Sequence, residues 1–328
     1  MQKRAFIMSL LLALLTISCS RTVQGDGEEL NAVYFWRTEL RLDSLERNFL
    51  ERYAIKKVYC RYFDVVMDGE DDEPHPNATI TFSDTLPKGV ELVPTVYITE
   101  NCMHQRHDSL ARRVVRRVAQ MNQTNGISGV KELQIDCDYT DRSRLNFYHF
   151  LEQVRQELLT PHSPLITPHS PLITHHSSLI THHSSLITLS ATIRLHQLQM
   201  PAPPVDYGVL MLYNTGDPRR FEDRHSADGR LLEEGKNPVL DLRDVRPYAR
   251  YLAGYALPLS AAYPVYRWVR HVGGVRIEHT VDASEILGVK QLVEQKRSSL
   301  RQAIITYHLD EENINRYSHE TFEAIYQH

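Results

Sequence analysis

The feature that most constrains the fold of this sequence is a regular alternation of strand-like and helix-like segments along the chain. Eight segments are rich in β-branched and aromatic residues, and amphipathic helical patterns lie between most of them. These segments are 32–37, 57–64, 91–99, 132–138, 190–196, 207–214, 255–260 and 303–308. Because parallel strands need long connections, the alternation predicts a parallel sheet. Eight such units predict an α/β protein with a (β/α)8 barrel of the TIM type.

An open doubly wound sheet is the alternative, but no glycine-rich turn follows the first segment, which argues against a dinucleotide-binding fold. The chain has 328 residues, of which 42% are hydrophobic and 24% are charged, an ordinary globular composition. Its formal net charge of -4 argues against a nucleic-acid partner, which usually requires a basic face. No cysteine–histidine spacing indicates a structural metal, and no cofactor is implied.

The first 19 residues have the pattern of a lipoprotein-type signal peptide. Basic residues at 3–4 precede the apolar run 5–17, which is too short to span a bilayer. The stretch TISC resembles a bacterial lipobox, in which the cysteine, here Cys19, is lipidated and becomes the new N-terminus. We therefore expect an exported protein, lipid-anchored in the bacterial cell envelope on its periplasmic or outer surface. Residues 20–30 are interpreted as a polar tether to a barrel domain at 31–328.

A tandem repeat occupies residues 161–188, between the helix of the fourth β/α unit and the fifth strand. PHSPLIT occurs twice and HHSSLIT twice, and the repeat contains six of the 17 histidines. Histidine-rich tracts can bind metal ions. Near-identical copies, however, are typical of a recent genetic duplication, and proline and serine disfavour a helix here. We interpret the repeat as a low-complexity insertion in a loop at the bottom of the barrel, away from the catalytic rim.

The segment ELQIDCDYT at 132–140 has two chemically different faces. Residues 133, 135 and 137 are apolar, whereas the alternate positions are Glu132, Gln134, Asp136 and Asp138. In a barrel, one face of each strand packs on the helices, the other lines the interior, and the carboxyl ends open onto the active site. We therefore expect the polar face to point inward, with Asp136 and Asp138 at the catalytic end.

Asp136 and Asp138, two residues apart on one face, are expected to have α-carbons about 6.5 to 7 Å apart. Neighbouring carboxylates raise one another's pKa, so that one is protonated as an acid while the other is ionised. Cleavage of a glycosidic bond requires such a pair. The alternative is structural: buried carboxylates need partners, and Arg37, Arg61 and Arg194 on other strands could neutralise them.

Further candidates stand near the ends of other predicted strands. Arg194 and His196 share one face of the fifth strand. There Arg194 is expected to pair with Asp136, and His196 to serve as an acid or base. Asp64 ends the second strand, and Trp36 offers a stacking face for a sugar ring.

Two of these segments resemble strands of the chitinase family. ELQIDCDYT resembles the fourth strand of that family, whose pattern is D-x-x-D-x-D-x-E followed by an aromatic residue. Asp136 matches the last aspartate, and Asp138 occupies the position of the acid glutamate. VDYGVLMLYN at 205–214 resembles the sixth strand, whose motif is M-x-Y-D, and here Met211 and Tyr213 match.

The resemblance implies a (β/α)8 barrel in which Asp138 protonates the leaving oxygen, Asp136 orients the acetamido group of the substrate, and Tyr213 helps to hold it. The chain departs from the family pattern at three positions. Asp138 is one methylene shorter than glutamate, and Gln134 and Asn214 replace aspartates. The whole chain also resembles an uncharacterised family of exported bacterial lipoproteins with barrels of this type.

The sequence thus predicts a glycan-active surface lipoprotein, a glycoside-hydrolase-like barrel acting on an amino-sugar-type glycan by carboxylate acid catalysis. Its expected partners are a carbohydrate and, through the lipid anchor, a membrane. The expected catalytic residues are Asp138 and Asp136. The expected substrate contacts are Tyr213, Asn214, Arg194, His196, Gln134, Asp64 and Trp36. The alternatives are a catalytically inactive carbohydrate-binding barrel and a structural envelope lipoprotein whose inner carboxylates only neutralise arginines.

Overall fold

The structure is a computed structural model that describes residues 29–68, 73–160, 165, 187–216, 224–225, 231–233, 236–272 and 275–328. The expected signal peptide with Cys19, the tether up to residue 28, and most of the tandem repeat lie outside the described residues. None of the described helices is both long and apolar enough to cross a membrane.

Eight parallel strands form a closed barrel, and each strand pairs with its neighbours in chain order. The first strand pairs with both the second and the last, which closes the cylinder. The strands are β1 (Leu30–Phe35), β2 (Ile55–Val66), β3 (Glu91–Ile98), β4 (Glu132–Asp136), β5 (Thr188–Ile193), β6 (Tyr207–Met211), β7 (Leu259–Pro264) and β8 (Ala303–Tyr307). The predicted (β/α)8 barrel is confirmed.

Helices surround this barrel. In the described part of the chain the α-helices are α1 (Ser44–Arg52), α2 (Leu110–Thr124), α3 (Arg144–Leu159), α4 (Leu242–Ala249), α5 (Ala283–Lys296), α6 (Glu311–Ile314) and α7 (His319–Tyr326). Short 3-10 helices lie at Glu100–Met103, Leu195–Gln199, Leu252–Gly254 and Ser298–Gln302.

Short strands decorate the connections between barrel strands. Glu39–Leu40 pairs with Thr81–Phe82, His75–Asn77 pairs with β2, and Arg224–His225 pairs with Leu231–Glu233. The fourth pair is an antiparallel hairpin, Trp268–Val272 with Val275–His279, which we call the β7–α5 hairpin. These strands lie outside the barrel and shape its upper connections.

Local sequence signals account for the helices that cover the barrel. The α1 helix begins at a capping box, because the Asp43 carboxylate accepts from the Glu46 backbone N–H at 2.8 Å while Glu46 accepts from the Asp43 N–H at 3.0 Å. The α2 helix buries Leu110, Val114 and Val118, which recur every four residues on one face. That apolar face packs against the barrel, as the helical period predicts.

Several strand bounds differ from the predicted segments, and the differences at the seventh and fifth strands follow from named contacts or turns. The seventh begins at Leu259 and not at residue 255, because the Arg297 guanidinium donates to the carbonyls of Leu252, Tyr255 and Leu257 at 2.9 to 3.1 Å. Those carbonyls are therefore satisfied by a side chain from another element and not by a neighbouring strand. The fifth strand ends at Ile193, where the chain turns into a 3-10 helix.

Candidate active site

The polar face of β4 lines the barrel interior from its bottom to its mouth. Glu132, at the bottom, is buried and accepts hydrogen bonds from Lys57 Nζ at 2.7 Å, from Ser190 Oγ at 2.6 Å and from the Tyr207 hydroxyl. Every partner comes from another barrel strand, so this carboxylate holds the closed end of the barrel together. The inward orientation predicted for the polar face of β4 is therefore what the structure shows.

Gln134 occupies the next layer and does not reach a ligand site, which corrects its prediction as a substrate contact. Its side chain is completely buried, and its Oε1 accepts from the Tyr34 hydroxyl at 3.0 Å and from Thr95 Oγ1 at 3.3 Å. The amide thus fastens β4 to β1 and β3 beneath the mouth.

Asp136 is a buried carboxyl group at the end of β4. It is 3% exposed, and its Oδ1 accepts from Thr192 Oγ1 of β5 at 2.6 Å. Burial raises the pKa of Asp136 to about 6, and the neighbouring Asp138 charge adds to the rise, while Arg194 and the Thr192 hydrogen bond oppose it. Asp136 is therefore a group that exchanges a proton near neutral pH.

Asp138 lies beyond the last residue of β4 and forms an ion pair with Arg194 at the mouth. Arg194 Nε donates to Oδ1 of Asp138, and Nη2 donates to Oδ2 at 3.1 Å, so the guanidinium holds both oxygens. Arg194 was expected to pair with Asp136, and the structure corrects this prediction. The strand ends before Arg194, whose backbone N–H donates to Gln197 Oε1 at 2.8 Å, and this turn carries the guanidinium to Asp138.

A cleft of about 730 Å³ opens at the carboxyl ends of the strands. It is lined by Asp138, Arg194, Leu195, His196, Met211, Tyr213, Asn214, Thr215, Gly216, Pro238, Val239, Tyr248 and Trp268. The cleft thus brings five of the predicted site residues together. The volume of the cleft lies in the range of small-molecule sites.

Three predicted residues of this cleft, Tyr213, Asn214 and His196, differ in their burial and in their hydrogen bonds. The Tyr213 ring is buried and stacks on Tyr307 with centroids 4.4 Å apart, and burial raises the pKa of its hydroxyl well above the usual value. That hydroxyl has no hydrogen-bond partner among the described residues. Asn214 has a left-handed backbone (φ 51°) and accepts from the Tyr266 hydroxyl. His196 Nε2 lies 3.2 Å from the Tyr139 carbonyl oxygen.

Asp64 and Trp36, which were predicted as substrate contacts, do not line this cleft. Asp64 is buried and paired with Arg61, whose Nε donates to it at 2.7 Å. Trp36 is half buried and lines a separate cleft of about 640 Å³ with Arg37 and its neighbours on the β1–α1 connection. The sequence placed both residues correctly at strand ends, but strand ends on opposite parts of a barrel rim need not share a cleft.

The arginine network proposed as the structural alternative does not form around the β4 carboxylates. Arg61 pairs with Asp64, and Arg37 pairs with Glu46 at 2.8 Å, so only Arg194 of the three reaches a β4 carboxylate. Each of these three arginines thus pairs with a carboxylate other than that of Asp136. Among the described residues, Asp136 therefore has no direct ion pair.

Several residues that shape the site carried no motif in the sequence. Thr192 holds Asp136, and alternation along β5 could have identified it, since it lies two positions before Arg194. Gln197 donates to the carbonyls of Cys137 and Tyr139 at 3.3 and 3.0 Å, which ties the β5 turn to the end of β4. Tyr248 comes from α4 and Trp268 from the β7–α5 hairpin, and the local sequence does not determine that these two elements meet at the cleft.

Solved structures with a similar fold are chitinases and related enzymes. The GH18 chitinase from Cycas revoluta in complex with (GlcNAc)3 aligns with a TM-score of 0.51 at 11% identity, covering 91% of this chain and 98% of that one. A chitinase from Bacteroides thetaiotaomicron gives 0.51 at 10% identity, covering 92% and 99%. The Bacillus cereus spore cortex-lytic enzyme SleL gives 0.50 at 12% identity, covering 92% and 74%.

No protein-family model and no curated protein matches the sequence. The chain nevertheless shares the (β/α)8 fold of these chitinases and related enzymes. At these identities the similarity concerns the fold, so the activity has to be argued from the site itself.

Proposed function

We propose that this protein acts on an amino-sugar-type glycan, which it binds in the cleft at the carboxyl mouth of the barrel. The observation that carries the proposal is the convergence of Asp138, Arg194, Tyr213 and Asn214 on one cleft directly above the protonatable Asp136. Polar groups beside buried aromatic rings suit a sugar, which presents hydroxyls at its edges and C–H groups on its faces. The fold neighbours support the same class of ligand, since one of them holds (GlcNAc)3.

Hydrolysis would assign separate roles to the two carboxyl groups. Because the pKa of Asp136 is about 6, small changes of pH around that value convert it between its neutral and charged forms. The Asp138 side chain is 39% exposed and faces the cleft. Asp138 is the proton donor in this proposal, and Asp136 orients the acetamido group. Both Asp138 oxygens accept from Arg194 in the free protein, so a bound glycan must turn the guanidinium aside before Asp138 can donate a proton.

Binding without turnover is the second candidate, and the same ion pair favours it. A carboxylate whose two oxygens are occupied by a guanidinium is poorly placed to protonate a leaving group. Asp138 is also one methylene shorter than the glutamate of the chitinase motif, and a misplacement of about 1.5 Å can cost roughly a hundredfold in rate. In this case the Asp138–Arg194 pair would serve as a fixed hydrogen-bonding surface for sugar hydroxyls.

The proposed location of this activity is the bacterial cell envelope, on its periplasmic or outer surface, with the barrel tethered through lipidated Cys19. Its support is the order of charges, apolar run and cysteine in the first 19 residues. Metabolic labelling with a radioactive fatty acid tests the anchor. The wild-type chain should be labelled and the Cys19→Ser chain should not, and equal labelling of both would contradict lipidation at this residue.

Assays on residues 20–328 separate the two candidates. Hydrolysis of aryl N-acetylglucosaminides and binding of N-acetylglucosamine oligosaccharides are measured for wild type, Asp138→Asn and Asp136→Asn. A hydrolase should lose most of its turnover in both variants, by about a hundredfold or more. Binding that persists in all three proteins, with no turnover in the wild type, supports the binding barrel.

The matched control for these assays is Asp141→Asn, because the Asp141 carboxylate is 84% exposed and lies three residues beyond Asp138. Its activity and affinity should equal those of the wild type. If wild type neither binds nor cleaves any amino-sugar glycan while remaining folded, the proposed function is wrong.

A further inference from the structure

Exposed basic residues cluster on one side of the closed end of the barrel, opposite the mouth. Four of them lie within three residues of the starts of β2, β3, β4 and β8, and they are Lys56, Lys88, Lys131 and Arg301, respectively. All four are exposed, and the Lys131 and Arg301 side chains are 78% and 48% accessible. We call these four residues the basic face.

The strands that carry the basic face are neighbours around the barrel, and β1 lies among them. Strand β1 pairs with β8 on one side and with β2 on the other, and β3 and β4 follow in order. Neighbouring strands are about 4.8 Å apart, so the starts of these five strands span about 20 Å. The chain that precedes β1 therefore joins the barrel between the strand starts at which Arg301 and Lys56 lie.

The charge on this side of the closed end is opposite in sign to the formal net charge of the whole chain, which is -4. Five described stretches lead into these strands, namely 29–30, 51–56, 86–90, 125–131 and 295–302. Their exposed charged residues are six basic ones and two acidic ones, Glu29 and Glu51. One of the six, Arg52, interacts electrostatically with Glu320 of α7 and is not counted in the basic face.

Acidic neighbours balance only part of the basic face. Lys131 Nζ lies 4.0 Å from Glu91 Oε2, and Arg301 Nε lies 3.8 Å from Glu294 Oε2, so both contacts are at the outer limit of an ion pair. The other two members form no ion pair with any residue that the structure describes. An excess of positive charge is therefore left facing solvent at this end.

The proposed lipid anchor would hold this same end close to a membrane. Cys19 and Leu30 are eleven positions apart in the sequence, and an extended chain spans at most about 3.6 Å per residue. Lipidated Cys19 would thus keep the start of β1 within about 40 Å of the bilayer. The anchor and the positive charge are therefore at the same end of the barrel, and the mouth is at the other.

We propose that the basic face binds an anionic phospholipid surface, so that the closed end rests on the membrane and the mouth points away from it. A lysine or arginine close to anionic lipid strengthens binding by about fivefold, so four together supply roughly several hundredfold at low ionic strength. The mouth cleft then stays accessible to a glycan outside the membrane. This inference rests on the proposed anchor for the attachment, but the lipid contact can be measured without it.

Sedimentation of residues 20–328 with lipid vesicles tests the basic face in the absence of the anchor. The protein should bind vesicles made of equal parts of phosphatidylcholine and phosphatidylglycerol and should not bind vesicles of pure phosphatidylcholine. Its affinity should fall as the salt concentration rises, because salt screens exposed charges. The combined variant Lys56→Gln, Lys88→Gln, Lys131→Gln and Arg301→Gln should bind the anionic vesicles roughly a hundredfold more weakly or less well still.

The matched control replaces four exposed arginines in the segments that follow β3 and β4, which start at the mouth. The control variant combines Arg106→Gln, Arg113→Gln, Arg116→Gln and Arg142→Gln. It has the same net charge as the basic-face variant and should keep most of the wild-type affinity. Equal loss of affinity in the two variants, or equal binding of the wild type to the two kinds of vesicle, would overturn the proposal and leave the glycan assays unaffected.

Site-specific fluorescence on the lipid-anchored protein tests the orientation. The cysteines that the structure describes are buried, so a cysteine introduced at the surface can be labelled selectively. Ser128 is exposed in the stretch before β4, and Asp141 is exposed beyond the end of β4. A quencher on the lipid headgroups should quench a dye at Ser128→Cys and leave a dye at Asp141→Cys nearly unchanged. Equal quenching of the two dyes would overturn the proposed orientation.

Discussion

The carboxyl groups of Asp136 and Asp138 show how position along one strand determines the environment of a side chain in this protein. Asp136 is buried in the barrel interior, and among the described residues its one hydrogen bond comes from Thr192. Asp138, two residues later, emerges at the mouth and meets a guanidinium. The two side chains share a residue type and a strand face, yet one is desolvated in the barrel interior and the other is paired with Arg194 at the mouth.

The stability of the protein is expected to depend on pH through Asp136. Its pKa is raised by burial from 3.8 to about 6, so between about pH 4 and pH 6 the folded chain binds more protons than the unfolded one. The free energy of unfolding should therefore fall as pH rises through this window, by on the order of 2–3 kcal/mol. Urea unfolding of wild type and Asp136→Asn at pH 4 and pH 7 measures this, and the variant should lack the fall.

Asp141→Asn serves as the control, because the exposed Asp141 carboxylate should leave the pH profile of the wild type unchanged. A wild-type stability that rises between pH 4 and pH 7 relative to Asp136→Asn would show that Asp136 is instead stabilised as an anion in the folded state.

At the scale of elements, strand β6 shows how tightly the barrel and its covering layer fit. Gly208 lies in β6, and a β-carbon built there would approach Ile193 Cγ1 at 2.7 Å and the Leu257 and Leu259 side chains at 3.0 Å. Ile193 is β-branched and fully buried at the end of β5, so it has little freedom to move aside. The glycine therefore permits β5, β6 and the segment before β7 to pack at this distance.

Gly208→Ala is accordingly expected to destabilise the protein by about 1–3 kcal/mol, because the added methyl group overpacks a filled space. Gly288→Ala in α5 is the matched control. A β-carbon built there meets no atom within 4 Å apart from its chain neighbours and its own helix backbone, and removing a glycine from a helix interior should stabilise by up to about 1 kcal/mol. Chemical denaturation of the two variants measures both effects, and equal stability of the two proteins would contradict the packing argument.

At the scale of the whole molecule, the two ends of the barrel serve different purposes. The bottom is closed by the Glu132 hydrogen bonds to Lys57, Ser190 and Tyr207, whereas the mouth carries the cleft. Because all eight strands are parallel, the loops before the strands share the closed end and the loops after them share the mouth. The tandem repeat comes just before β5 in the sequence, so its insertion at the closed end stays a prediction.

Deletion of residues 168–181, which removes two whole heptads of the repeat, is expected to leave the barrel and its cleft intact. The deletion joins one PHSPLIT copy to one HHSSLIT copy, and shortening a loop changes the free energy of unfolding by less than about 1 kcal/mol. Denaturation and glycan titration check this, with a glycine–serine replacement of equal length as the control. Loss of glycan binding in the deleted but folded protein would show that the repeat contributes to the site.

The sequence by itself determined the barrel, the direction of each face of β4 and the candidate site at the strand ends. Those properties follow from local periods: alternation by two along a strand and by about four along a helix. Alternation along the strands also indicated Asp136, Asp138 and Arg194, because residues at the carboxyl ends of parallel strands meet at one mouth. Tyr213 was indicated by the resemblance of residues 205–214 to the sixth strand of the chitinases.

Only the tertiary structure decided which of these groups pair. Arg194 holds Asp138 and not Asp136, because the fifth strand ends at Ile193 and Gln197 fixes the turn that follows. The start of β7 depends on Arg297, which comes from another element and takes the carbonyls before it. Such contacts join residues that are far apart in the chain. The distances between these residues depend on how the barrel closes, and local sequence patterns do not predict those distances.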